Sequence, residues 1–102
     1  MNQSLHISPF ILSLPKAELH LHLEGSIEPA TLVEISRRHG GTLSTDDAER
    51  LYQYADFTGF LQAFKTVTEL LRTPEDYELI TYHLVERLRA ENVLHAEVYV
   101  SV

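Results

Sequence analysis

A chain of 102 residues has room for one small domain built on one core. Eight Lys and Arg against fifteen Asp and Glu leave a formal net charge of −7, dispersed along the chain, which argues against a nucleic-acid partner. The chain has no cysteine, which excludes a disulfide framework and a thiolate metal site.

Met1 to Ser8 is polar and patternless, and reads as a frayed terminus. No basic start precedes the apolar stretch Phe10 to Leu14, which is too short for a signal core or a membrane span. No membrane is therefore expected as a partner, and the cytoplasm is the expected compartment. Phe10, Ile11, Leu12 and Leu14 are candidates to cap a core. Pro15 disfavours helix just before it and delivers the chain into a strand expected over Ala17 to Leu23. Pro29 to His39 reads as a helix that starts on proline and stops at Gly40-Gly41. Ala30, Leu32, Val33 and Ile35 form its expected buried side. Arg37, Arg38 and His39 suit its negative end, so His39 receives no ligand role.

Ser44 or Thr45 caps a short helix reaching about Tyr54. From Phe57 onward, Phe57, Phe60, Leu61, Phe64, Val67, Leu70 and Leu71 recur at spacings of three and four. That is one helical stripe, expected to face the core. Thr73-Pro74-Glu75-Asp76 opens the next helix, which runs to about Glu91 and stops at Asn92. It is expected to bury Tyr77, Ile80, Leu84, Val85 and Leu88. Val93 to Val102, rich in β-branched residues, closes the chain as a strand. Strand, helices and strand at this length predict a parallel pair with helices packed outside it. The expectation is an α/β fold in a single piece over residues 1–102.

The chemistry is concentrated in Glu18-Leu19-His20-Leu21-His22-Leu23-Glu24-Gly25. Residues two apart on a strand share a face, so His20 and His22 project side by side, and Leu19, Leu21 and Leu23 go to the other face. Two imidazoles on one rigid strand make half of a metal site, and neutral imidazole suits zinc, iron and nickel. The competing reading is a solvent-facing pair on an ordinary sheet. Glu24, two residues beyond His22, starts on the same side; otherwise it is a loop carboxylate that caps the helix at Pro29. Gly25 ends the strand with a residue free to adopt positive φ or to let another group approach closely.

The run LPKAELHLHLEGSIEPATLVEISRRHG resembles the opening of the adenosine deaminase family, within the metal-dependent amidohydrolases, and a looser similarity continues to Val102. The resemblance implies a (β/α)8 (TIM) barrel, which takes about 250 residues, so this chain would be its N-terminal part. That part holds the first strand, a helical crossover and the second strand. The resemblance also implies that His20 and His22 hold one zinc or another divalent metal. A metal held by histidines with one open position lowers the pKa of bound water toward about 7.

The implied reaction is hydrolytic removal of the 6-amino group of adenosine, adenine or a related, aminofutalosine-like adenine nucleoside. A small-molecule aminopurine is thus the expected partner, and the further catalytic groups are expected beyond Val102. In the family, the helix matching Phe60-Leu61 and Phe64 walls the substrate pocket. Phe60, Leu61 and Phe64 therefore join Glu24 and Gly25 as candidate substrate-binding residues. The adenosine-specific branch has aspartate where this chain has Glu24, which points to free adenine or a modified nucleoside.

The second strand departs from the family: Tyr99 stands where an arginine is expected, and Val102 where a proline is expected. Uncovered strand edges lead to expected association with the missing C-terminal part or with a second copy. The alternatives are another amidohydrolase, acting on a cyclic amide or a phosphoester, and a noncatalytic binding fragment.

Overall fold

The computed structural model describes residues 8–101. The frayed terminus expected over residues 1–7, with His6 in it, and the strand end expected at Val102 lie outside the described residues. In chain order the elements are α1 (Pro9–Ser13), β1 (Lys16–His22), one 3-10 turn (Leu23–Ser26), α2 (Pro29–Arg38), α3 (Thr45–Leu51), α4 (Phe57–Leu70), α5 (Pro74–Ala90) and β2 (Val93–Tyr99). The two strands pair in parallel, as the element order predicts.

Boundaries differ from expectation where the backbone turns early. The first strand ends at His22, because Leu23 already opens the 3-10 turn. The third helix stops at Leu51, not near Tyr54. The second strand ends at Tyr99.

Each helix start has a local cause. Ser44 and Asp47 form a reciprocal capping box on α3, and Thr73 and Asp76 form another on α5. The Asp56 carboxylate accepts the Gly59 N–H at 2.7 Å and caps α4. Gly40, with φ of 78°, ends α2 in the left-handed region. A Cβ on the next residue, Gly41, would lie 2.3 Å from Ser36 Oγ.

The core joins Leu23 and Ile27 of the first junction to Leu32 and Ile35 of α2, Ala48 of α3, Val67 of α4, Leu71, and Ile80 and Leu84 of α5. Full burial of each large aliphatic side chain contributes about 1.5–3 kcal/mol.

Two expected apolar faces are wrong in part. On α2 the buried positions are Thr31, Leu32, Ile35 and Ser36, while Ala30 is exposed and Val33 half-buried. On α5 Val85 is exposed, and Tyr77 and Leu88 are half-buried. The stripe on α4 divides along its length. Val67 and the following Leu71 enter the core, whereas Phe57 is 71% exposed and Phe60 and Leu61 are open. Spacing shows that a helix has an apolar face; it does not show what covers that face.

One carboxylate lies wholly inside the helical layer. Asp76 accepts N–H groups from Arg72 at 2.9 Å and Thr73 at 3.2 Å, and its Oδ2 lies 2.7 Å from His39 Nε2. Burial pushes this carboxyl up, but the Arg72 N–H, the His39 ring and the Thr73 N–H outweigh it and hold its pKa below the usual value. His39 therefore does more than suit a helix end: it ties α2 to α5.

Candidate functional site

The exit end of β1 brings the two histidines together. His20 Nε2 and His22 Nε2 are 3.1 Å apart, and their rings meet edge to face with centroids 4.9 Å apart. Two nitrogens bound about 2.0–2.1 Å from one tetrahedral zinc lie about 3.3 Å apart. The donor spacing thus fits two corners of a divalent metal site. The register helps to aim them. Glu18 pairs with Ala96 and Leu21 with Val98, so β1 advances three residues while β2 advances two. The slip falls at Leu19 and His20, and such irregularities re-aim side chains.

β2 supplies a third ring that the sequence reading missed. Tyr99 is opposite His22 in the register, and its ring centroid is 4.5 Å from that of His20 and 5.7 Å from that of His22. Only the mismatch with the family's arginine marked this position in the sequence. Among the described residues, no group of three or more His, Asp and Glu side chains converges to hold a metal. His83 lies 3.7 Å from Glu86 and His95 3.2 Å from Glu97, and neither joins the pair on β1.

Beyond the strand, Glu24 is fully buried. Both of its carboxylate oxygens accept the Ser101 N–H, at 3.2 and 3.0 Å. The helix-capping alternative fails: Glu28 occupies the N-cap of α2, with no side-chain cap bond. Glu24, Gly25, Tyr52, Tyr54, Phe60, Ala63, Phe64 and Val67 line a cavity of about 60 Å³.

Four of the five expected substrate residues therefore share one cavity, and Leu61 does not line it. Gly25 does not need positive φ, and a Cβ there would meet only His22 Cβ at 3.8 Å, an ordinary contact. Its place on the cavity wall, rather than turn geometry, is what sets it apart.

Two tyrosines border this region. The Tyr52 hydroxyl donates to Ile27 O, and burial pushes its pKa up to about 12 against the opposing pull of the Arg87 charge. Tyr77 is also raised, by burial first and by the Glu24 charge second. Both phenols stay protonated at neutral pH and can act as hydrogen-bond donors.

Residues 15–101 match the adenosine deaminase family. The chain belongs to that family. It is 35% identical over 96 residues to an adenine deaminase of Vibrio parahaemolyticus, covering 91% of this chain and 28% of that protein. It is 39% identical over 95 residues to an aminodeoxyfutalosine deaminase of Streptomyces avermitilis, covering 90% of this chain and 26% of that protein.

Among solved structures, it is similar to an amidohydrolase from Burkholderia ambifaria with bound zinc. The TM-score is 0.74 at 31% identity, over 92% of this chain and 28% of that one. The chain thus spans under a third of the relatives it matches. Its parallel strands and helical crossover are the N-terminal part of a (β/α)8 barrel. Among the described residues, no helix is long and apolar enough to cross a membrane.

Proposed function

We propose that the whole protein is a metal-dependent aminohydrolase that removes the 6-amino group of adenine or an adenine nucleoside by hydrolysis. The observation that carries this reading is the convergence of His20 and His22 on one point at the exit end of β1, in a chain of this family. The relatives named for adenine and aminodeoxyfutalosine support an adenine-like substrate. The zinc-bound neighbour supports a divalent metal, zinc first, with His20 and His22 as two of its ligands. Bound there, the metal makes water acidic enough to supply a nucleophile near neutral pH.

The chain's own residues then bind and orient the substrate. Phe60 and Phe64 offer apolar walls to a flat purine, and Gly25 lines the same cavity. Glu24 lines the same cavity, with its carboxylate accepting the Ser101 N–H. Its extra methylene relative to aspartate shifts that carboxylate by about one C–C bond, or about 1.5 Å. This favours free adenine or a 5′-modified adenine nucleoside over adenosine. The remaining ligands and catalytic groups are assigned to sequence after Val102. The exposed Leu19, Leu94 and Val98 are assigned to contacts with the rest of the barrel.

The test is turnover of adenine, adenosine and a 5′-extended adenine nucleoside by the whole protein, before and after chelation and with zinc restored. Ammonia release that falls on chelation and returns with zinc is the expected result. Undiminished turnover in a His20→Ala, His22→Ala double variant would overturn the reading.

A further inference from the structure

The ring of Tyr99 has no part in the reaction as proposed, yet it touches both members of the histidine pair. We propose that Tyr99 is a positioning residue, an aromatic wall on β2 that holds His20 and His22 in the orientation that brings their Nε2 atoms together. This rests on the reading of those histidines as metal ligands.

Each imidazole turns about two side-chain bonds, and only a small share of the combinations aims both Nε2 atoms at one point. Unsupported, the pair would have to be ordered when the metal arrives, and that ordering would weaken binding. Tyr99 stands directly opposite His22 across the parallel pair, and its ring leans on His20 more closely than on His22, at 4.5 against 5.7 Å between centroids. The planes are tilted 41° and 34° to the two imidazoles. The histidines cross each other at 71°, edge to face. The three rings therefore form one cluster, each within 6 Å of the other two between centroids.

The residue type fits this role. A phenol ring supplies the flat, rigid face that such packing needs. Ligand-supporting residues outside the coordination sphere typically account for about 10–100-fold in metal affinity.

The experiment measures zinc affinity of the whole protein by chelator competition, together with the visible spectrum of its cobalt-substituted form. Unfolding midpoints of the metal-free proteins are recorded in parallel. Tyr99→Ala is expected to weaken zinc about 10–100-fold and to alter the cobalt spectrum. Tyr99→Phe, which keeps the ring, should stay close to the parent in both. If Tyr99→Ala does not fold, Tyr99→Leu fills the strand position without a ring and carries the same expectation.

Parent-like affinity and spectrum in the variant that lacks the ring would overturn the proposal. So would a loss in Tyr99→Phe as large as in Tyr99→Ala, because the hydroxyl and not the ring would then matter. A parent protein that binds no zinc overturns the histidine reading itself and Tyr99's role with it; zinc binding that ignores Tyr99 overturns only the latter.

Discussion

At the entry of the strand pair, Lys16 gives its ammonium group to three carbonyl oxygens, those of Leu12, Leu14 and Glu91, at 2.7–3.1 Å. Beside it Asn92, held at φ of 60°, donates its side-chain amide to Ser13 O at 2.6 Å and accepts the Lys16 N–H on its carbonyl at 3.1 Å. At the exit of the same strands, rings meet rings, and the two histidine nitrogens face each other instead of the backbone. The entry spends its polar groups on fixing the path of the chain. The exit leaves donor atoms for something else to use. Barrels in general divide stability and chemistry between their ends in this way, and here the division is visible within one strand pair.

The hardest test of that division is removal of one of the proposed ligands. His22→Ala in the whole protein should abolish stoichiometric zinc and nearly all turnover, as metal analysis and an ammonia assay would show. The unfolding midpoint of the metal-free protein should barely move, because His22 is exposed and holds no backbone group. A metal-free protein made much less stable by this change would mean that the exit end also holds the fold.

Glu24 sits where the division is least clean, since it lines the cavity and also holds Ser101. Glu24→Gln should cost about 2 kcal/mol in a denaturant titration, because a buried carboxylate loses its charge-assisted bonds. Glu24→Asp should raise turnover of adenosine relative to adenine. A misplaced contact of about 1 Å can cost about a hundredfold in rate, so the ratio is the sensitive readout. An unchanged ratio would leave Glu24 with a purely structural role.

What the sequence made legible follows from range. Ser44, Asp56 and Thr73 act within three residues, so their caps could be read directly or nearly so. The histidine pair is two residues apart, and strand periodicity suffices to bring it together. The tie from Glu24 to Ser101 spans 77 residues, Lys16 to Glu91 spans 75, and His39 to Asp76 spans 37. Nothing local encodes these. Spacing on α4 showed the apolar stripe but could not separate Val67, which enters the core, from Phe60 and Phe64, which line a cavity with Glu24 and Gly25.

Acid tests the layer beneath both ends. Asp76 has a folded-state pKa below its ordinary value of 3.8. Its contribution is therefore whole above that value and is lost as pH falls through the depressed folded value. Asp76→Asn should remove about 1–2 kcal/mol at neutral pH and flatten the acid limb of the stability curve. Both effects should leave zinc stoichiometry at neutral pH untouched. Parallel acid limbs for parent and variant would assign that limb to other carboxylates.

The smallest expected effect belongs to the entry end and is the most discriminating for the division. Lys16→Met keeps much of the side chain's length and apolar stem but removes the ammonium from all three carbonyls. Those bonds lie in an exposed region, so water replaces much of what is lost, and the expected cost is about 1 kcal/mol. Two of the carbonyls belong to the segment before β1 and one to the C-cap of α5, so the loss should appear as loosening of that segment. Faster amide exchange at Leu12, Ser13, Leu14 and Lys16 and a slightly lower unfolding midpoint would report it. The exit end lies a whole strand away, and kcat/KM and zinc affinity should stay at parent values. A tenfold fall in either would show that the entry tie sets the register on which the histidines depend, and the two ends would then have to be treated as one device.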